Sequence, residues 1–117
     1  VRPLEVRLSA AIVLAAAVVF LGHALLREDP GVLRFPLVLA VIAAVALAAM
    51  WTRLRAARLI AVVAVGLLAL AHTVIALGAL PWWVRVSSGL LAAAHVYVVI
   101  LLLTGPARAH FTGVPND

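Results

Sequence analysis

Residues 59–80 read LIAVVAVGLLALAHTVIALGAL, twenty-two positions without a charged side chain or a proline. At about 1.5 Å per residue, a helix of that length extends ~33 Å and crosses the ~30 Å hydrocarbon layer of a bilayer. A helix apolar all round does not suit one wetted face of a water-soluble domain. Its solvent is therefore expected to be lipid.

Three similar runs surround it: Leu8 to Leu26, Phe35 to Met50 and Val86 to Leu103, of 19, 16 and 18 residues. The second is short and reaches a workable length by taking in Trp51 and Thr52 or by lying where the bilayer thins. Composition agrees: 68% of the 117 residues are hydrophobic, 11% are charged, and the mean hydropathy is +1.27. A soluble domain is about 45 to 50% apolar. The expected architecture is an all-α membrane protein whose four transmembrane helices form an up-down-up-down bundle. They are placed at about 6–27, 35–52, 58–80 and 84–104 within a single transmembrane domain over residues 1–117, with 105–117 as a cytoplasmic tail. The first run exceeds the ~7 to 15 apolar residues of a secretory signal and is read as a retained span.

Arginine supplies all nine basic residues, and their distribution orients the bundle. With the N-terminus in the cytoplasm, Arg2, Arg7, Arg53, Arg55, Arg58 and Arg108 fall inside, while Arg27, Arg34 and Arg85 fall outside. That bias favours both termini inside. The turn from Thr52 to Arg58 places Arg53, Arg55 and Arg58 against anionic headgroups or a docking partner. On the opposite side, the charged segment from Arg27 to Gly31 ends the first helix, and Pro36 suits the first turn of the second. Pro81 stops the third. Trp82 and Trp83 then mark an aromatic belt, with Arg85 extending toward headgroups. Thr104-Gly105-Pro106 breaks the fourth helix, and Phe111 to Asp117 reads as a frayed end.

Small residues four apart predict where helices approach one another in lipid. Ala11 and Ala15, then Ala40, Ala44 and Ala48, then Gly89 and Ala93 form such rows.

The remaining chemistry rests on histidine. One stripe of the third helix holds Ala61, Val65, Ala69, His72, Ala76 and Ala79, and one stripe of the fourth holds Arg85, Ser88, Ala92 and His95. Counted from Leu80 and from Val86, His72 and His95 lie about 12 to 14 Å deep, at nearly one level on antiparallel neighbours. His23 is shallower. The pair is expected either to bond carbonyls, hydroxyls or each other as helix-to-helix contacts, or to act as axial ligands of a haem b whose propionates meet Arg85 or Arg27. A proton path, ion path or metal site is the third possibility.

The four runs contain no Asp, Glu, Asn or Gln, so they provide no paired acid for general acid–base work and no counter-ion for a transported cation. Two histidines fall short of the three protein ligands usual for catalytic zinc. Ser87, Ser88, Thr73, Thr104 and Tyr97 have hydroxyls without an activating base at an evident spacing. The sequence has no cysteine, which removes thiolate chemistry.

The basic turn Arg53-Leu54-Arg55-Ala56-Ala57-Arg58-Leu59 and the helix ending Tyr97-Val98-Val99-Ile100-Leu101-Leu102-Leu103-Thr104-Gly105-Pro106-Ala107-Arg108 resemble the small four-span integral membrane proteins of actinobacteria. The resemblance implies a bacterial inner membrane and brings no assigned activity. The expected role is non-catalytic: an accessory or stabilising subunit of a larger membrane complex, or a homo-oligomer. Its partners are then the lipid bilayer and other membrane subunits, with no nucleic acid and no cofactor. A bis-histidine cytochrome using His72 and His95, and a small transporter or channel, are the alternatives.

Overall fold

The computed structural model describes residues 2–26 and 34–112. Among them the chain is all-helical: α1 Leu4–Leu26, α2 Arg34–Met50, α3 Arg55–Leu77, α4 Trp82–Leu102 and α5 Gly105–Thr112. Helices α1, α3 and α4 are long and apolar enough to cross a membrane, and α2 is a shorter apolar helix of 17 residues. This is a membrane protein by length and hydropathy of its helices. The expected turn from Arg27 to Gly31 and residues 113–117 lie outside the described residues.

The first four helices pack in a ring, α1 on α2, α2 on α3, α3 on α4 and α4 back on α1, with neighbours antiparallel. The ring therefore has two ends. At one, the start of α1 and of α3 meets the finish of α2 and of α4. At the other, the finish of α1 and of α3 meets the start of α2 and of α4, beside Trp83.

Local chemistry sets the boundaries. Helix α3 starts at Arg55, ahead of the expected residue 58, because Ala56 and Ala57 propagate a helix readily. Its first turn closes when Ala57 N–H donates to the Leu54 carbonyl at 3.0 Å. It ends before Gly78, which is extended at φ −78° and ψ 173°, and Pro81 disfavours helical backbone at the preceding residue. Pro81 then opens α4, its carbonyl accepting from the N–H groups of Val84 and Arg85. In α2 the ring of Pro36 falls in the first turn, where its missing N–H leaves no helical bond unmade.

The C-terminal segment corrects the sequence reading. Residues 105–112, expected as the start of a tail that frays from Phe111, form helix α5, folded back so that Ala107, His110 and Phe111 are buried. Thr104-Gly105-Pro106 does break α4. The break is a corner, because Pro106 occupies the first turn of a new helix, and the Thr104 carbonyl accepts from Arg108 N–H at 3.0 Å.

Small-residue spacing also misplaced two contact faces. On α2, Ala44 and Ala48 are exposed and Ala40 is half-buried, while Leu39, Ala43, Ala46 and Met50 face the interior. On α1, Ala11 and Ala15 are exposed, while Val6, Ser9, Val13 and Ala16 face inward. Ala93 of α4 is exposed as well. Alanine occupies every face of these helices, so a four-residue spacing occurs on several stripes and selects none. The stripes of α3 and α4 that hold the histidines face inward over most of their length: Ala61, Val65, Ala69 and His72 are buried, as are Ser88, Ala92 and His95, whereas Ala76 is half-buried and Ala79 and Arg85, toward the Trp83 end, are exposed.

Candidate functional site

His72 and His95 meet in the centre of the ring. Their rings stack with centroids 5.2 Å apart and planes inclined by 22°, and each residue is 2% exposed. His95 Nδ1–H donates to the Leu91 carbonyl one turn earlier, at 2.7 Å. That bond places a proton on Nδ1 and, in the neutral ring, leaves Nε2 as the acceptor. His72 Nδ1 is buried without a hydrogen-bond partner. Over His72 lies Phe20 of α1, edge to face, with centroids 4.8 Å apart.

The same phenyl ring divides the interior. On the histidine side is a void of about 10 Å³, lined by Phe20, Leu39, Ala43, Leu68 and the two imidazoles. That is close to the smallest space that admits one water. On the other side, toward Trp83, is a partly open cavity of about 160 Å³. Phe20, His23, Phe35, Trp83, Ser87 and Ser88 are among its walls. Phe20 and Phe35 meet edge to face at 6.4 Å, and His23 and Trp83 do so at 6.2 Å. Three elements supply the aromatic walls, because the last turns of α1 face the first turns of α2 and α4.

The polar groups of the cavity differ in their bonding. Ser87 Oγ–H donates to the Trp83 carbonyl at 2.7 Å. Ser88 is 2% exposed, and its hydroxyl lines the cavity without a hydrogen bond to any described residue. His23 is half-buried, and its imidazole nitrogens likewise have no hydrogen bond to a described residue.

The predicted site residues separate into groups. His72 and His95 come together, whereas His23 belongs to the cavity. Their face-to-face stack differs from axial haem ligation, in which two ring nitrogens point end-on at the iron from opposite sides of a planar macrocycle. A porphyrin does not fit between rings 5.2 Å apart. Arg85 Nε–H donates to the Ala76 carbonyl at 2.9 Å, and Arg27 lies outside the described residues. Arg53 and Arg55 are exposed, but Arg58 Nε–H donates to the Leu102 carbonyl at 3.1 Å. Trp82 is exposed, and Trp83 is a cavity wall.

Two features escaped the sequence reading. Arg58 and Arg85 form a reciprocal clasp: each sits in the first turn of its helix and caps a late carbonyl of the antiparallel neighbour, α4 and α3 respectively. The last carbonyls of a helix have no partner within it, so each guanidinium satisfies an otherwise orphaned acceptor. An arginine in the first turn of each helix was the available signal. The second feature, His110 Nε2–H donating to the Met50 carbonyl at 2.9 Å across 60 residues, left no signal in the sequence.

No family model matches the chain, and no curated protein or solved structure matches it. No group of three or more His, Asp or Glu side chains is placed to hold a metal ion among the described residues.

Proposed function

We propose that the chain is a non-catalytic subunit of the bacterial inner membrane. It crosses the bilayer four times with both ends in the cytoplasm and stabilises a larger membrane complex or an oligomer of itself. The observation that carries this reading is the setting of the histidine pair. Apolar side chains enclose it, Phe20 closes it from above, and Glu5, far away at the start of α1, is the only carboxylate among the described residues. Acid–base catalysis and coupled cation transport both need a proton-accepting or charge-balancing partner at depth. The imidazoles here have each other, a carbonyl and a phenyl ring.

The outer surface supports the same reading. In their most apolar 18-residue windows, α1, α3 and α4 have 28%, 33% and 33% of residues buried. The remaining residues of those windows are half-buried or exposed, and the exposed ones face lipid or another chain. Arg2, Arg7, Arg53, Arg55, Arg58 and Arg108 gather at the α5 end of the ring, which supports placing that end in the cytoplasm.

Two experiments test the proposal. Native mass spectrometry with crosslinking, in mild detergent, is expected to show a defined oligomer or complex. A strictly monomeric chain without crosslinked neighbours overturns the subunit role, and a Soret band after haem-replete expression replaces it with the cytochrome. For topology, the cysteine-free background allows single labelling sites. Trp82→Cys is expected to react with an impermeant maleimide in intact cells, and Arg53→Cys only after permeabilisation. The opposite pattern overturns the orientation.

A further inference from the structure

The cavity beside Trp83 plays no part in the subunit role, and its walls specify a ligand. We propose that it binds a single six-membered ring with an oxygen substituent, the chemistry shared by phenols and by the head ring of a membrane quinone. The Ser88 hydroxyl is the hydrogen-bond donor to that oxygen.

Size gives the first constraint. A cavity of about 160 Å³ takes one ring; apolar cavities of ~150 Å³ stay dry and admit benzene. Wall chemistry gives the second. Phe20, Phe35 and Trp83 come from three different helices, so a ring placed among them can meet aromatic edges and faces from several directions. Aromatic groups favour such edge-to-face contacts at centroid separations of ~4.5 to 7 Å, the range these walls already adopt with one another.

Polarity gives the third. Ser88 is 2% exposed, and its hydroxyl makes no bond to the described residues. A serine in a helix commonly bonds back to the carbonyl four residues earlier, as Ser87 does to Trp83. Ser88 does not, so its hydroxyl remains available to the cavity. His23 lies at the same cavity and can add a second hydrogen bond. An acyl chain would fill the volume but leave the Ser88 donor unpaired, which disfavours it. A ring oxygen meets both requirements.

The site does not depend on the oligomeric state, so its test stands apart from that of the subunit role. Purified full-length protein in nanodiscs is titrated with para-fluorophenol and, separately, with fluorobenzene, followed by fluorine NMR. Saturable binding of para-fluorophenol is expected, about tenfold tighter than fluorobenzene, the factor worth of one net hydrogen bond. Ser88→Ala is expected to remove that preference, and Ser88→Thr, which keeps the hydroxyl, to retain it; circular dichroism checks that each variant is folded. Competition then identifies the source. Displacement by a short-tailed benzoquinone at lower concentration than by phenol assigns the site to membrane quinones, and the reverse order assigns it to soluble phenols. The proposal is overturned if binding does not saturate, if fluorobenzene binds as tightly as para-fluorophenol, or if folded Ser88→Ala keeps the preference.

Discussion

The two ends of the helix ring are built from the same kinds of residue and finish very differently. At the α5 end, Val6, Met50, Leu102 and Phe111 are fully buried, and long-range polar bonds bind the helix termini together. His110 bonds the end of α2, Arg58 bonds the end of α4, and Arg2 lies 4.3 Å over the Trp51 ring while donating to the Trp51 carbonyl. At the Trp83 end, Phe35 and Trp83 are half exposed around a cavity, and the Ser88 hydroxyl makes no bond to a described residue. What separates the ends is one short helix. Eight residues folded under the ring fill its base, while among the described residues the end beside Trp83 holds a partly open cavity.

The strongest way to break this contrast is to empty the closed end. Phe111→Ala deletes a fully buried ring and is expected to destabilise by about 3 kcal/mol, read as a lowered melting temperature in detergent. A change below about 1 kcal/mol would mean that α5 does not close the ring. Next comes overpacking on α2. Ala43→Leu is expected to cost about 1 to 3 kcal/mol, whereas Ala44→Leu, on the exposed face, changes the melt little. Equal effects would return the contact face to the row of Ala40, Ala44 and Ala48.

The arginine clasp sharpens the contrast further. Arg58→Met, whose bond is partly buried, is expected to cost about 1 kcal/mol, and Arg85→Met, whose bond is exposed, less than about 0.5 kcal/mol. Parallel thermal melts compare them, and the reverse order would contradict the closed and open ends. The smallest effect belongs to Ser88→Ala, within about 0.5 kcal/mol, because no bond within the described chain is lost. A large loss on melting would reveal a structural partner for that hydroxyl.

The level pairing of His72 and His95 was legible because it depends only on helix rise and on antiparallel neighbours, both of which follow from run length and short connections. The facing stripes of α3 and α4 were legible for a related reason: a polar residue deep in an apolar helix avoids lipid and so marks the inward face. The inward faces of α1 and α2 hold few such markers, Ser9 and the shallower His23 on α1, and alanine spacing could not replace them. Helix α5 was hidden by composition. Gly105-Pro106 reads equally well as a stop or as a corner, and only the space beneath the ring, which Phe111 fills, distinguishes the two.

By itself, then, the sequence determined a lipid-soluble helical protein, an interior without acids or amides, and a histidine pair at one depth. Each follows from residue type and one-dimensional periodicity, because the cost of polar groups in hydrocarbon acts residue by residue. Tertiary structure alone decided that the imidazoles stack face to face, that Arg58 and Arg85 cap each other's helices, and that Phe20 lies between a small void beside the histidines and the larger cavity near Trp83. These depend on how helices rotate about their own axes as they pack, and in lipid that rotation is set by close contact between neighbours, not by hydrophobicity.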